Sequence, residues 1–199
     1  MPEQTTDARH LGKRLFDLAL LLPALPLFGA VIAALALCAR VAHGRPVFFS
    51  QPRVGRNRRP FAIHKLRSMT TDPDPRRRVP TRFGGWLRAR GLDELPQLFN
   101  VLAGEMSLVG PRPLTPEDAA RLGAAHPQFD QRFAHPPGLT GLAQVSGARG
   151  VALTAALEGH YARTWSMKLD VTILLRTAWI NVVGKRRGAR PLPLPKDLA

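Results

Sequence analysis

The sequence predicts an α+β protein that is mostly α-helical and that joins a membrane segment to one small folded domain. The membrane segment is Leu18–Ala39, a run of 22 residues without a charge. Two short runs with strand character, 46–51 and 61–66, are separated by turn-forming residues and predict a β-hairpin. Apolar residues at three- and four-residue steps predict amphipathic helices near 92–102 and 169–183. At 199 residues the chain is long enough to bury a core.

The composition is strongly basic and restricts the class of partner. The chain has 29 Lys and Arg against 14 Asp and Glu, a formal net charge of +15. Such an excess indicates an anionic partner: a nucleic acid, an anionic membrane surface or a phosphorylated substrate. The single cysteine, Cys38, excludes an internal disulfide and a cysteine-based zinc cluster, and its apolar surroundings predict a packing role.

The path of the apolar run through a membrane has two interpretations. As a helix, Leu18–Ala39 would be about 33 Å long at ~1.5 Å per residue, close to the ~30 Å core of a bilayer. Pro23 and Pro26 lie inside it and predict a kink or a break, and kinked helices commonly span membranes. Basic residues on both sides instead suit a re-entrant hairpin with both ends in the cytoplasm. These flanking residues are Lys13, Arg14, Arg40, Arg45 and Arg53.

Two adjacent carboxylates, Asp93 and Glu94, stand where the helix near 92–102 should begin. Asp93 is predicted to be the N-cap, and Pro96 then falls in the first turn, which tolerates proline. Gly104 is predicted to end the helix. A helix start also attracts phosphate through its free N–H groups and its dipole. The carboxylates therefore either cap a surface helix or belong to a phosphate-handling site.

Basic and conformationally fixed segments surround these carboxylates. A short helix predicted at 83–90 would bring Arg88 close to them. Arg112 lies between two prolines, so its guanidinium should be held in one direction, which suits bidentate phosphate binding. The glycines of 136–147 allow close backbone approach to a ligand, and Arg149 follows. Further helices are predicted over 116–125, 155–163 and 169–183. The last suits either the core or a membrane interface.

Six sequence blocks, taken together, resemble those of the bacterial sugar transferases, the monotopic polyprenol-phosphate phosphoglycosyl transferases. The resemblance runs from about Lys13 to Gly184. The blocks are Lys-Arg-Leu-Phe-Asp at 13–17, Pro-Val-Phe-Phe-Ser-Gln at 46–51 with Arg53 and Gly55, Lys-Leu-Arg-Ser-Met at 65–69, Leu-Asp-Glu-Leu-Pro-Gln-Leu-Phe-Asn-Val-Leu at 92–102, Met-Ser-Leu-Val-Gly-Pro-Arg-Pro-Leu at 106–114 and Pro-Gly-Leu-Thr-Gly-Leu-Ala-Gln-Val-Ser-Gly at 137–147.

The resemblance implies an activity and a set of site residues. Members of this family transfer a sugar phosphate from a UDP-sugar to undecaprenyl phosphate, release UMP and use Mg. The resemblance implies that Asp93 is the nucleophile, forming a phosphosugar-aspartyl intermediate, and that Glu94 is a Mg ligand or an assisting base. Asp93 and Glu94 are together the implied metal ligands. The implied substrate contacts are Lys65, Arg67, Arg88, Pro111, Arg112, Gln144 and Arg149.

The resemblance also implies a division of the chain and a location. We expect an N-terminal tail at 1–12, loosely ordered, a membrane re-entrant helix at 13–43, a cytoplasmic catalytic domain with interfacial amphipathic helices at 44–184, and a basic, Pro-rich tail at 185–199. The expected location is the bacterial inner membrane, with the catalytic domain on the cytoplasmic face and anionic lipids as partners. The role expected there is the first membrane step of surface-glycan synthesis.

The sequence departs from the family pattern at three places. The family's re-entrant break would fall near Gly29-Ala30, where neither residue is proline. Ala148 intervenes between Gly147 and Arg149, and Glu158 stands where the family usually has Asp. Other function classes stay open as well: a membrane-tethered nucleic-acid binder, suggested by the charge, or an inactive scaffold. No recognisable nucleic-acid module is present, so nucleic acid is not expected as a partner.

Overall fold

The computed structural model describes residues 2–125 and 127–183. The α-helices are α1 (Pro2–His43), α2 (Arg82–Arg90), α3 (Gln97–Ala103), α4 (Pro116–Ala125), α5 (Leu142–Val145), α6 (Val151–Thr164) and α7 (Met167–Val183). The strands are β1 (Phe48–Val54), β2 (Pro60–Leu66), β3 (Ser107–Val109) and β4 (Gly138–Thr140). The architecture is therefore α+β with helix predominating, as the sequence predicts. The predicted tail at 185–199 lies outside the described residues.

The predicted β-hairpin is confirmed. Strands β1 and β2 pair antiparallel, with Phe48 opposite Leu66 and Val54 opposite Pro60. A short 3-10 turn at Arg56–Arg58 forms the basic tip. On β2, Ile63 and Leu66 are buried, which fixes the face of the hairpin that meets the core.

A second, parallel pair of strands was not predicted from the sequence. Ser107 of β3 lies opposite Gly138 of β4, and Val109 lies opposite Thr140. The two chains approach so closely that a Cβ on Gly138 would lie 2.0 Å from the amide nitrogen of Gly110. Glycine is therefore required here by backbone contact, because any side chain would collide with the neighbouring segment.

Helix α1 is continuous, so the predicted break inside it is absent. It runs from Pro2 to His43 through both prolines, and the predicted loose tail is wrong because the helix already begins at Pro2. By length and composition, His10–His43 could cross a membrane, with a mean hydropathy of 2.4 in its most apolar window. Cys38 is exposed on this helix. The packing role predicted for it from the sequence is therefore wrong.

Five side chains form a buried stripe on one face of α1, although most of its apolar segment is exposed. The buried side chains are Lys13, Asp17, Leu21, Ile32 and Ala39. Their spacings are multiples of the helical turn, so they form one stripe. Both prolines lie outside this stripe and are exposed. Proline on the outer face removes hydrogen bonds where no core contact depends on them, which explains how the helix passes through these positions.

The N-terminal part of α1 is tied to α3 and to α7. The Lys13 ammonium lies 2.5 Å from a carboxylate oxygen of Asp170, and both side chains are buried. The guanidinium of Arg14 donates to the carbonyls of Val101 and Leu102 at the end of α3. The Val101 carbonyl also accepts from the amide of Gly104, which ends the helix, so Arg14 reinforces the C-terminal cap of α3.

The hydrophobic core has two parts. One joins β3 with the last three helices: Val109, Leu142, Val145, Leu157, Tyr161, Ile173 and Ile180. The other joins α1, β2 and α3: Leu21, Ile63, Leu98, Val101 and Met106. Helix α7 packs in the core through Ile173 and Ile180, which are buried, while Leu175 and Trp179 are exposed. The site described next lies between these two cores.

Candidate active site

Asp93 lies in a tight turn between α2 and α3. Gly91 ends α2 in the left-handed conformation (φ 70°), and a single 3-10 turn, Leu92–Glu94, follows it. Helix α3 begins only at Gln97, after Pro96, and Gly104 (φ 84°) ends it as predicted. The prediction that Asp93 is the N-cap of this helix is therefore wrong. Its carboxylate instead accepts a hydrogen bond from the Ser68 hydroxyl at 3.3 Å.

The environment of Asp93 resists ionisation. The residue is only 6% exposed. Burial raises the pKa of the Asp93 carboxyl, and the neighbouring Glu94 carboxylate raises it further. Lys65, Arg88 and the Ser68 hydroxyl oppose this and lower the pKa. The ionised form of Asp93 thus depends on a small set of cations around it.

Glu94 is neutralised by two of the predicted substrate-binding residues. The Lys65 ammonium lies 2.7 Å from Glu94 Oε1, and the Arg112 guanidinium lies 3.7 Å from the same oxygen. The side chain of Arg112 is about half exposed, so it keeps donors that face solvent. The sequence prediction that these cations lie beside the carboxylates is consistent with this geometry.

Two cavities meet at Asp93. The larger, which we call the α7 cavity, has a volume of about 660 Å³. The smaller, which we call the hairpin cavity, has a volume of about 530 Å³ and lies against β1 and β2. Lys65, Arg88 and Asp93 line both cavities. A carboxylate at such a junction can reach a ligand in either space.

The α7 cavity combines cations, polar groups and an apolar wall. Arg112, Gln144 and Arg149, all predicted as substrate contacts, line it together with Leu174 and Ile180 of α7. The amide oxygen of Gln144 is buried and has no hydrogen-bond partner within the described residues. A buried acceptor without a donor is costly, and this oxygen is closed to solvent although Gln144 lines the cavity.

Arg67 and Pro111 lie differently from the other predicted residues. Four of the five N–H groups of Arg67 donate to backbone carbonyls, those of His43, Gly44, Pro46 and Met69. Arg67 lines the hairpin cavity but chiefly ties the end of α1 to the hairpin. Pro111 is buried behind Arg112 and lines neither of the two cavities. Its place is to shape the backbone at Arg112.

The carboxylates of Asp93 and Glu94 fit a hard divalent cation. Mg²⁺ is usually held by one or two carboxylates, and phosphate oxygens of the substrate and water complete its shell. The Ser68 hydroxyl bonds to one oxygen of Asp93, Oδ2, and the other oxygen has no hydrogen-bond donor in residues 2–125 and 127–183. The raised pKa of Asp93 also fits, because a bound cation would favour its ionised form.

Sequence reasoning missed several residues of the site. Ser68 and Arg53 stand inside blocks that carry the family resemblance, but no role was assigned to either. Alternation along β2 signals Ser68, because it continues the face of Leu66 beyond the strand. Thr177 and Asn181 of α7 also line the α7 cavity. Their signal is a pair of polar residues four apart, which lie on one face of α7.

The family found by comparison with known proteins agrees with the residues of this site. A sequence model described as "Bacterial sugar transferase" matches residues 8–184. The chain belongs to the bacterial sugar transferase family. The blocks that contain Asp93, Glu94 and Arg112 all fall within the matched region.

Individual relatives in the bacterial sugar transferase family differ in length. The chain is 39% identical over 193 residues to a UDP-glucose:undecaprenyl-phosphate glucose-1-phosphate transferase of Caulobacter vibrioides, covering 89% of this chain and 71% of the relative. It is 42% identical over 193 residues to an undecaprenyl-phosphate glucose phosphotransferase of Komagataeibacter xylinus, covering 84% of this chain but 35% of the relative. An uncharacterized sugar transferase of Bacillus subtilis is 36% identical, with 83% and 84% covered.

We predict that Gly84 of α2 is essential for placing Ser68 beside Asp93. A Cβ on Gly84 would lie 2.0 Å from the Ser68 carbonyl oxygen, a backbone contact that cannot give way. Gly84→Ala should therefore lower the free energy of unfolding by about 2–3 kcal/mol. Chemical or thermal unfolding of the detergent-solubilised protein, followed by circular dichroism, measures this.

The neighbouring Gly85 provides a matched control. Nothing lies within 4 Å of a Cβ added there. Gly85→Ala should leave stability unchanged or raise it by up to ~1 kcal/mol, because alanine is the better helix former. Equal unfolding curves for Gly84→Ala and Gly85→Ala would contradict the assigned contact.

Proposed function

We propose that this chain transfers a sugar phosphate from a UDP-sugar to undecaprenyl phosphate and releases UMP. The observation that carries the proposal is the placement of Asp93: a buried carboxylate at the junction of two cavities, with Lys65 and Arg88 lining both. The names of the Caulobacter vibrioides and Komagataeibacter xylinus relatives support the substrate classes. UDP-glucose is accordingly the first donor to test.

In the first step, a carboxylate oxygen of Asp93 attacks the sugar-linked phosphorus of the UDP-sugar. The bond from that phosphorus to the oxygen bridging the two phosphates breaks, and this oxygen leaves with UMP. Asp93 then carries the sugar phosphate as an acyl phosphate. The step needs Asp93 ionised and free of a helix-capping role. The single hydrogen bond from Ser68 meets the second condition.

In the second step, a phosphate oxygen of undecaprenyl phosphate attacks the same phosphorus. The bond from phosphorus to Asp93 breaks, which restores the carboxylate and yields the lipid-linked sugar diphosphate. Attacking and leaving oxygens lie roughly in line in phosphoryl transfer. The lipid phosphate therefore occupies the position from which UMP has left, and the same cations serve both steps.

Cations neutralise the charge on the transferring phosphate. Lys65, Arg88 and Arg112 lie around the carboxylates, and Arg149 lines the α7 cavity beyond them. Mg²⁺, when bound by Asp93 and Glu94 together with the substrate phosphates, supplies further neutralisation and orients the phosphoryl group. Glu94 holds Lys65 and Arg112 in place through its ion pairs, which keeps their donors near the phosphate.

Features of α1 and α7 support a membrane placement. Arg14 and Lys13 tie one end of the apolar helix to the domain, and Arg67 ties its other end to the same domain. This favours a helix embedded from one side over one that carries its ends to opposite sides. Trp179 of α7 is 61% exposed, on the helix that also lines the α7 cavity. We place this face at the cytoplasmic surface of the inner membrane, where lipid phosphate is accessible.

The nucleic-acid-binding and scaffold alternatives gain no support from the structure. The net charge of +15 is accounted for by phosphate substrates and anionic headgroups. The site carboxylates and cations are all present, which an inactive scaffold does not require.

We predict that Asp93→Asn lowers UMP release at least ~10³-fold, because the nucleophile is lost while the shape of the site is kept. The measurement is UMP formation from a panel of UDP-sugars, with and without undecaprenyl phosphate. Asp130→Asn is the control, since Asp130 lies in an exposed ion pair with Arg58. Normal turnover by Asp93→Asn would contradict the assigned nucleophile.

The pH dependence of kcat/KM should report the ionisation of Asp93. Because only the ionised carboxylate attacks, and because burial and Glu94 raise its pKa, activity should fall with decreasing pH at a value above the ordinary ~4 of aspartate. Lys65→Ala removes a cation that lowers this pKa, so the acid limb should move to higher pH. Glu94→Gln removes an anion that raises it, so the limb should move to lower pH. If the acid limb moved in the same direction in Lys65→Ala and Glu94→Gln, the assignment of this limb to Asp93 would be contradicted.

A further inference from the structure

Behind Arg112, on the side away from the two cavities, lies a buried ion pair. Arg132 belongs to the 3-10 helix Pro127–Ala134, and Glu158 belongs to α6. Arg132 Nη1 lies 3.0 Å from Glu158 Oε2, and the side chains are only 3% and 4% exposed. Neither residue lines either cavity.

Both members of this pair bind the backbone of Arg112. The amide N–H of Arg112 donates to Glu158 Oε1 at 3.1 Å. Arg132 Nη2 donates to the carbonyl oxygen of Arg112 and, at 3.2 Å, to the same oxygen of Glu158. The two polar backbone groups of one residue are thus held by two oppositely charged side chains.

Stability alone does not explain this buried ion pair. Burying two charges carries a large desolvation penalty before their attraction is counted, and an apolar pair of similar volume is often as stable. The peptide groups of a loop residue can also be satisfied by water at no such cost. The Arg132 guanidinium is fixed further, because it lies 4.5 Å from the Phe129 ring. The N–H and the carbonyl of Arg112 are therefore held in fixed positions by this pair.

We propose that Arg132 and Glu158 are positioning residues that aim Arg112 at Glu94 and the α7 cavity. The proposal rests on the proposed function, in which Arg112 contacts the transferring phosphate. Pro111 and Pro113 limit the loop, and the Gly138 amide donates to the Pro111 carbonyl. Within residues 2–125 and 127–183, the pair supplies the side chains that bind both polar backbone groups of Arg112. A displacement of about 1 Å at such a residue can cost ~10²-fold in rate.

A double-mutant cycle tests whether the pair acts through Arg112. The pair variant Arg132→Met with Glu158→Leu removes both charges and both anchors, so it buries no unpaired ion. With Arg112 intact, kcat/KM for UMP release should fall about 10- to 100-fold. In the Arg112→Ala background the same change should cost less than ~3-fold, because its target is already gone. Asp130→Asn, on the same 3-10 helix, should leave both backgrounds unchanged.

A conservative variant separates anchoring from packing. Arg132→Met with Glu158→Gln restores an acceptor for the Arg112 amide, and it should recover part of the lost kcat/KM. If the Glu158→Leu pair variant does not fold, as judged by its melting transition, this second variant carries the cycle. The proposal would be overturned if the pair variant lowered kcat/KM by the same factor with Arg112 intact and in the Arg112→Ala background. A folded pair variant with normal kcat/KM would also overturn it.

Hydrogen exchange gives a readout that needs no activity. Pro111 and Pro113 have no N–H, so a peptide over 111–113 reports the Arg112 amide alone within that segment. Exchange of this amide should become at least ~10-fold faster in the Glu158→Leu pair variant and stay unchanged in Asp130→Asn. Unchanged exchange in the pair variant would overturn the positioning role. Absence of UMP release from wild type, with exchange behaving as expected, would instead refute the proposed function alone.

Discussion

Two adjacent carboxylates, one of them buried, can coexist only where cations offset their repulsion and the loss of water around them. The site is organised by this constraint. Lys65 and Arg112 neutralise Glu94, while Lys65 and Arg88 act on Asp93. In the proposed mechanism, Asp93 is poorly stabilised as an anion before substrate binds, because burial and Glu94 raise its pKa, and the attacked phosphorus centre accepts its charge. The cations that stabilise the two carboxylates are also the groups that would neutralise a transferring phosphate in the proposed reaction.

Backbone contacts, more than side-chain packing, hold these charges at fixed positions. Gly84 brings α2 against Ser68, and Gly138 brings β4 against Gly110. Each contact fixes one side of the site, at Asp93 and at Arg112 respectively. Long-range side-chain anchors complete the frame: Arg14 holds the end of α3. The parts of the site therefore come from the whole chain, and the proposed phosphoryl transfer requires their alignment.

Local features were predictable from the sequence, and contacts between distant segments were not. The hairpin, α2 and the end of α3 at Gly104 follow from alternation, helical periodicity and a glycine cap, all of which act within a few residues. The β3–β4 pair could not be predicted, because each strand has three residues and their pairing depends on tertiary contact. The prediction of an N-cap at Asp93 was wrong because Gly91, in the left-handed conformation, changes the chain direction just before it. The structural ties of Arg67 could not be predicted, because its carbonyl partners at 43–46 are more than 20 residues away.

The proposed reaction requires a covalent bond between Asp93 and a sugar phosphate. The direct measurement is mass spectrometry of the protein after incubation with UDP-glucose without undecaprenyl phosphate, quenched in acid. We expect a mass increase of one sugar phosphate on the peptide that contains Asp93. Hydroxylamine should remove this adduct, and it should be lost when undecaprenyl phosphate is added. UMP release that occurs only with the lipid present, with no adduct on Asp93 at any time, would contradict the proposed reaction.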